Sequence, residues 1–170
     1  MDLLIREAIE SDVQEIIAVQ QRIIYESDYF ISTSEEFKED PEEYKSSMRE
    51  NKQSGGLTLV AEHNGEIAGF LVFRRNQMKR LNHTGSFGMA ILDEYRSQGL
   101  GTAMLVKMID WAKAQEGLEK ICLGVFSTNE RAIAAYKKIG FSEEGREIRQ
   151  IRFTDGQYAD DIRMALFIDR

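Results

Sequence analysis

The sequence predicts an α/β fold with one mixed, mostly antiparallel sheet of about seven strands flanked by about four helices. The first observation is the order of the predicted elements, β-α-α-β-β-β-α-β-α-β-β, which does not alternate strictly enough for a doubly wound parallel fold. The second is Asn64-Gly65 between two apolar strands, a strong signal for an antiparallel hairpin. The third is a length of 170 residues with 42% hydrophobic residues, which predicts a single domain over residues 1–170.

The amino-terminal half supplies two helices and the hairpin. Its predicted elements are, in order, a strand at 3–8, a helix at 11–23, an irregular segment at 25–37, a helix at 41–51 and the hairpin at 57–74. Ser11 or Asp12 is the expected N-cap of the first helix. Asn-Gly tolerates the positive φ angles of a type I′ turn, so the two hairpin strands pair directly.

The carboxy-terminal half repeats strand and helix and then ends in two strands. Its predicted elements are a strand at 83–92, a helix at about 99–116, a buried strand at 119–126, a helix within 127–141, and strands at 146–153 and 158–168 around the turn TDGQ. In the second of these helices, Ser127 and Glu130 stand in capping-box register, and Gly140 is the expected C′ residue.

Composition and charge exclude several classes of protein. The net charge of −7 and a pI near 5.0 argue against nucleic acid and against an anionic membrane surface as partners. The lone cysteine, Cys122, allows no intrachain disulfide and suits a reducing compartment. The start of the chain, MDLLIREAIE, carries acids where a signal peptide would carry positive charge. These features predict a cytoplasmic protein.

A glycine-rich turn opens the helix near residue 99. Gly99-Leu100-Gly101-Thr102 follows a strand and a short turn, so unshielded N–H groups lie at the positive end of a helix. Such a turn favours an anion, although two glycines that only shape a tight turn would give the same pattern. The segment lacks both the Gly-Lys-Ser/Thr ending of a P-loop and the third glycine of a dinucleotide fingerprint.

A second motif follows about 25 residues later. Arg96, Gly99 and Gly101 form R-x-x-G-x-G, and the later segment reads NERAIAAYKKIGF. Together, in this element order, they resemble the GNAT superfamily of acyl-CoA-dependent N-acetyltransferases. The resemblance extends over nearly the whole chain and is greatest to small bacterial enzymes that acetylate amino acids and related amines, including phosphinothricin-type acetyltransferases.

The resemblance implies acetyl-CoA as co-substrate and assigns it a set of residues. The backbone of Met89, Ala90 and Ile91 would pair with the pantetheine arm, and one amide there would polarise the thioester carbonyl. The pyrophosphate would lie on the amides of the glycine turn, which are those of Ser97, Gln98, Gly99, Leu100, Gly101 and Thr102. Asn129 would bind the pantetheine, Ala132 would contact the cofactor, and Lys138, with Arg131 and Lys137, would meet the 3′-phosphate.

Tyr136 is the implied general acid. It lies two turns after Asn129 on one helical face, roughly 10 Å along the axis, so one extended ligand can meet both side chains. A tyrosine with a pKa of about 10 stays protonated at neutral pH and can protonate a departing thiolate. The alternative is a packing tyrosine, because Ala132 and Ile139 share its side of the helix.

No general base is evident, and acceptor recognition falls to the irregular segment. The resemblance implies a cleft where strands 83–92 and 119–126 splay apart. The segments HTGSFGMAIL and ICLGVF beside it carry no carboxylate, which leaves His83, Asp28 or Glu35 acting through water. Between the first two helices, the expected acceptor wall has three aromatic residues and three acids, namely Tyr25, Tyr29, Phe30, Asp28, Glu35 and Glu36. The basic run Arg74, Arg75, Lys79, Arg80 reads as a solvated loop that could also meet an acidic acceptor.

The predicted function is acetyl transfer to a primary amine of a small molecule by direct attack, so Cys122 is expected to be a core residue rather than a nucleophile. Alternatives are a protein N-terminal or lysine acetyltransferase, and an acetyl-CoA-binding sensor without turnover. His63 and His83 are too isolated to suggest a metal site, so no metal is expected. The resemblance also implies a possible homodimer.

Overall fold

A seven-stranded mixed sheet forms the centre of the molecule, as predicted. The computed structural model describes residues 2–169. The strands are β1 (Leu3–Glu7), β2 (Leu57–His63), β3 (Glu66–Arg75), β4 (Thr84–Ile91), β5 (Lys120–Phe126), β6 (Ser142–Arg152) and β7 (Tyr158–Phe167). Their order across the sheet is β1-β2-β3-β4-β5-β7-β6. Every neighbouring pair is antiparallel except β4 and β5, which run parallel.

Four α-helices flank the sheet. They are α1 (Val13–Glu26), α2 (Pro41–Gln53), α3 (Leu100–Lys113) and α4 (Glu130–Ile139), and single 3-10 turns precede α1 and α3. The segment between α1 and α2 has neither helix nor strand, which confirms its irregular prediction. At the β2–β3 hairpin, Asn64 and Gly65 have φ angles of 51° and 87°, as the predicted type I′ turn requires.

The two faces of the sheet bury separate hydrophobic clusters. One face packs against α3 and α4 through residues such as Phe73, Leu105 and Tyr136. The other packs against α1 through residues such as Ile16, Phe70 and Ala90. Because both faces are covered, the central strands read as continuous apolar runs rather than as alternating ones.

The parallel pair β4–β5 opens along its length. Its ladder contains only Thr84 with Lys120, Gly85 with Ile121, and Ser86 with Cys122. From Phe87 to Ile91, β4 remains paired with β3 but has no strand on its other edge. The sheet is therefore split at this point, as expected for strands 83–92 and 119–126.

The capping of α4 differs from the prediction. Asn129, not Ser127, is its N-cap, and the Asn129 Oδ1 atom accepts a hydrogen bond from the Ala132 N–H at 3.3 Å. Ser127 instead accepts the Asp160 N–H at 2.8 Å, which ties the end of β5 to β7. The capping-box spacing does not reflect a cap here, because Ser127 bonds to β7 and lies two residues before the N-cap Asn129. Gly140 ends the helix as predicted, with a φ of 122°.

Candidate acetyl-CoA and acceptor site

Six consecutive backbone N–H groups are free at the start of α3. Within residues 2–169, the amides of Ser97 through Thr102 donate to no carbonyl or side chain, and the first helical hydrogen bond of this turn runs from Ala103 to Gly99. A helix leaves its first N–H groups without partners and carries partial positive charge there. The segment is therefore suited to hold a diphosphate by its main chain, as the sequence predicts.

Side chains hold this turn in shape without occupying its amides. Arg96 Nε donates to the Ile91 carbonyl at 3.2 Å, and Gln98 Nε2 donates to the Glu94 carbonyl at 2.9 Å. The two terminal guanidinium nitrogens of Arg22 on α1, Nη1 and Nη2, each donate to the Glu94 carboxylate at 2.8 Å. The expected pyrophosphate ligand Gln98 thus also braces the turn through its side chain.

The turn requires glycine at its two positions for different physical reasons. Gly99 has a φ of 82°, a conformation that favours glycine. Gly101 lies close to the end of β4, where an added Cβ would be 3.2 Å from the Ile91 Cδ1 atom. The turn therefore needs Gly99 for its backbone angle and Gly101 for close approach to the strand.

Helix α4 lines the other side of the opening between β4 and β5. Ala132 and Tyr136 pack against the cluster on this face, and the Tyr136 ring lies 5.9 Å from the rings of both Phe87 and Phe141. Arg131 donates a hydrogen bond to Ser97 Oγ, which places the start of α4 beside the glycine turn. Lys138 is exposed, two helical turns beyond Arg131.

Tyr136 is buried, with 8% of its surface exposed, yet its hydroxyl has no hydrogen-bond partner within residues 2–169. The oxygen is not among the fully enclosed polar atoms without partners in that range, so open space lies beside it. Burial raises the pKa of Tyr136 to about 12. The phenol is therefore protonated at neutral pH and can donate to a group placed in the opening.

A cavity of about 420 Å³ lies on the opposite face of the sheet. Gly88, Met89 and Ala90 form its floor at the point where β4 loses its partner, and Phe87 contacts both this cavity and Tyr136. The remaining lining residues are Gln20, Phe30, Glu39, Tyr44, Phe70, Val72, Arg74 and Ser86. The split in the sheet therefore joins the turn and α4 on one face to this cavity on the other.

The expected acceptor wall is only partly correct. Phe30 lines the cavity, but Tyr25, Tyr29, Asp28, Glu35 and Glu36 do not. Tyr25 is 81% exposed, and Glu36 accepts a hydrogen bond from the Thr33 hydroxyl at 2.7 Å. Between α1 and α2, the residues that line the cavity are Phe30 and Glu39. Residues 31–36 between them are exposed.

None of the three suggested bases reaches the cavity. His83 precedes β4, seven residues or roughly 23 Å along the strand from Ala90, and Asp28 and Glu35 are exposed outside it. The carboxylate that lines the cavity is that of Glu39. Sequence reasoning missed Glu39 and Tyr44, and the available signal was their position directly before and within the first turn of α2.

Cys122 is half-buried rather than a core residue as expected. Its side chain lies on the opposite face of β5 from the buried Ile121 and Leu123. Burial raises the pKa of its thiol, an effect that nearby Lys120 partly offsets. A raised pKa disfavours the thiolate, so the cysteine is poorly suited to act as a nucleophile.

Within residues 2–169, no set of three or more His, Cys, Asp or Glu side chains is placed to hold a metal ion. No helix in that range combines the length and the apolar character needed to cross a bilayer.

A seven-stranded mixed sheet that is split between β4 and β5 and flanked by four helices defines the fold class. The model of the Acetyltransferase (GNAT) family matches residues 20–141, and the chain belongs to this family. The crystal structure of an acetyltransferase of the GNAT family from Streptococcus pneumoniae is 32% identical. That alignment covers 98% of this chain and 100% of the other, with a TM-score of 0.93.

Two further relatives carry names that indicate an activity. The L-amino acid N-acetyltransferase AaaT of Escherichia coli is 32% identical over 107 residues, which are 63% of this chain and 65% of AaaT, slightly less than two thirds of its length. A phosphinothricin acetyltransferase from Sinorhizobium meliloti, solved in complex with acetyl-CoA, superposes with a TM-score of 0.85 at 17% identity. This alignment covers 98% of this chain and 89% of that one and supports the shared fold.

Proposed function

We propose that the protein is an acetyl-CoA-dependent N-acetyltransferase that acts on a primary amine of a small molecule. The observation that carries this proposal is the split between β4 and β5. It lies between a set of six free amides and a buried tyrosine on one face and a cavity open to solvent on the other.

The chain's own residues fit acetyl-CoA from end to end. The amides of the turn 97–102 bind the pyrophosphate, while Arg131 and Lys138 supply positive charge for the remote phosphate. The unpaired edge of β4, at Met89, Ala90 and Ile91, accepts the pantetheine arm as an added strand. Asn129 and Ala132 contact the same arm from α4.

The proposed chemistry is direct transfer. Acetyl-CoA supplies the acetyl group as a thioester, and the amine forms the new C–N bond as the C–S bond breaks. A backbone N–H near Ala90 stabilises the developing charge on the carbonyl oxygen, which for a well-placed donor is worth on the order of 3 kcal/mol. Tyr136 gives its phenolic proton to the departing sulfur.

Glu39 prepares the acceptor. An amine arrives mostly as its ammonium form, which a carboxylate in the cavity attracts. Glu39 lines the same cavity as Gly88, Met89 and Ala90 and has no ion-pair partner within residues 2–169. Through water, it can also take the proton that the amine must lose before it attacks.

The volume of the cavity fits a small acceptor. At about 420 Å³ it falls within the usual range for small-molecule sites. A cytoplasmic location and a homodimer remain predictions from the sequence.

Calorimetric titration with acetyl-CoA, with ATP and NAD in parallel, tests the proposal. We expect selective acetyl-CoA binding by the wild type and by Tyr136→Phe, together with a fall in kcat for acetyl transfer of about 10²-fold or more in the variant. Tyr25→Phe, which alters an exposed tyrosine of α1, is the matched control and retains full kcat.

Two results would contradict the proposal in different ways. If the wild type bound no acetyl-CoA, the glycine turn would be only a turn and the whole reading would fail. Binding without acetyl transfer to any amine of a broad panel would instead identify a sensor.

A further inference from the structure

We propose that Arg74 binds a carboxylate on the acceptor, so that the preferred substrate is an amine whose carboxylate lies several bonds from the reacting nitrogen. This inference rests on the proposed acetyltransferase function and names the substrate class of the same site.

The structure divides the basic run 74–80 into three roles. Arg75 is structural, since it donates to the carbonyls of Asn82 at 2.7 Å and Glu116 at 2.9 Å. Lys79 and Arg80 lie in the turn between β3 and β4 and do not line the cavity. Arg74 is exposed as they are, but it alone among these four lines the cavity beside β4.

Arg74 is a cation without a partner in residues 2–169. Its guanidinium makes no hydrogen bond or ion pair there, whereas the guanidinium groups of most other arginines in that range do. It borders both the acceptor cavity and a second cavity of about 260 Å³ under α2, and the two cavities also share Glu39 and Tyr44. An unpaired guanidinium at this junction is available to a ligand, and its planar fork suits a carboxylate.

Charges of both signs meet at Tyr44. Burial raises the pKa of Tyr44, Glu39 raises it further, and Arg74 lowers it, so both charged groups act on the same phenol. Within residues 2–169, Glu39 and Arg74 nevertheless form no ion pair with each other. Two unpaired opposite charges beside one cavity fit an acceptor that carries an ammonium and a carboxylate.

The strand register sets the spacing of those two groups. Phe70 pairs with Ala90, where the thioester carbonyl is expected, and Arg74 pairs with Ser86. The two pairs are four residues apart, or about 13 Å along the strands. An extended arginine side chain is shorter than this distance, so the acceptor must span the remainder. An acceptor with only one carbon between its charges is too short.

The test compares amino carboxylates with amines of matched length. Steady-state kcat/KM is measured for glycine, γ-aminobutyrate and ε-aminohexanoate, against butylamine, hexylamine and putrescine. We expect the two longer amino carboxylates to exceed glycine and the matched amines. Arg74→Gln should lower kcat/KM for them by about tenfold, as for loss of one charge-assisted hydrogen-bonded pair. That loss should exceed the loss for the alkylamines at least about fivefold.

Arg80→Gln is the matched control, because it removes the same charge from the same basic run outside the cavity. Arg74→Lys keeps the charge and should restore part of the preference. Binding of ε-acetamidohexanoate, a product of the proposed reaction, to the wild type and to Arg74→Gln gives a second readout by calorimetry that needs no turnover.

The inference is overturned if putrescine or the alkylamines are preferred, or if Arg74→Gln weakens all acceptors equally. In either case acetyl-CoA binding and acetyl transfer would persist, so the proposed function would stand. Loss of the proposed function would instead appear as failure of the wild type to bind acetyl-CoA.

Discussion

The two binding regions proposed for the two faces of the sheet are made of different parts of the chain. On the α3–α4 face, the turn 97–102 presents six main-chain amides, and the side chains of Arg96 and Gln98 are used to fix its shape. On the α1–α2 face, Glu39, Tyr44 and Arg74 present side chains to a cavity. The first region depends on backbone conformation, whereas the second depends on which residues line it.

This difference suggests how specificity is divided. A backbone site recognises a phosphate group that is the same in every reaction of the enzyme, and it tolerates side-chain changes that keep its φ and ψ angles. A side-chain site can change its substrate by one substitution without altering the turn or α4. Substitutions at Gly99, Gly88 and Tyr136 test this division, because they change a backbone angle, the free volume of the cavity and the proton affinity of one side chain, respectively.

The largest effect is expected from changing the backbone angle at Gly99. A valine at a φ of 82° is strained by roughly 1–2 kcal/mol or more, and relief of that strain would turn the amides away from the pyrophosphate. Gly99→Val should therefore raise the Kd for acetyl-CoA by about tenfold to a hundredfold, measured by calorimetry.

Gly156→Val provides the control, because Gly156 has a φ of 85° in the β6–β7 turn and an added Cβ meets no atom within 4 Å. Both variants should lose similar thermal stability, but only Gly99→Val should lose affinity. Equal affinities in the two variants would mean that the turn does not bind the co-substrate through its main chain.

A smaller effect is expected from filling the acceptor cavity. Gly88 lies on the cavity floor, and a Cβ added there meets no protein atom within 4 Å. Gly88→Val should therefore leave the fold intact while occupying acceptor space. We expect the KM for the acceptor to rise by about tenfold, equivalent to about 1.4 kcal/mol, with a much smaller change in acetyl-CoA affinity.

Gly145→Val is the matched variant, since Gly145 is also a strand glycine with open space around it and lies on β6, away from the cavity. It should have the acceptor KM of the wild type. A rise in KM that was the same in both variants would point to a general effect on the sheet and would remove Gly88 from the acceptor site.

The sequence was sufficient for the features that depend on local chemistry. Asn64-Gly65 predicts its hairpin because few other residue pairs adopt two positive φ angles, and Gly99 marks its turn for the same reason. The order of strands and the split beside β4 followed from a family resemblance. The prediction of Ser127 as the cap was wrong because its hydroxyl accepts a hydrogen bond from the Asp160 N–H of β7. Local sequence does not reveal this contact, because it joins residues that are far apart in the chain.

The acceptor cavity could not be predicted in the same way. Glu39, Tyr44 and Arg74 lie on three different segments and meet only after α2 packs beside β3. The irregular segment offered several acids and aromatics with equal claims, and nothing local distinguishes Glu39 from Glu35. Which of them faces the cavity depends on the path of the chain between Phe30 and Asp40, which tertiary packing decides.

The smallest effect at neutral pH is expected from Tyr136 in the absence of ligands. This prediction isolates the one side chain that the α3–α4 face contributes to the proposed chemistry. Burial raises the pKa of Tyr136 to about 12 in the folded protein, whereas an unfolded tyrosine titrates near 10. Below pH 10 both states hold the proton, so the free energy of unfolding does not depend on this group. Between about pH 10 and pH 12 the unfolded state loses its proton first, so the folded state is progressively destabilised.

Tyr136→Phe removes this contribution, so the free energy of unfolding of the wild type should fall relative to the variant by about 2 kcal/mol across that interval. Urea unfolding at a series of alkaline pH values measures the difference, and other tyrosines and lysines cancel because both proteins carry them. Because the hydroxyl has no partner to lose within residues 2–169, the two proteins should have similar stability at neutral pH. If the curves stayed parallel up to pH 12, the phenol would be hydrated in the free protein, and its proton would be held less tightly than burial implies.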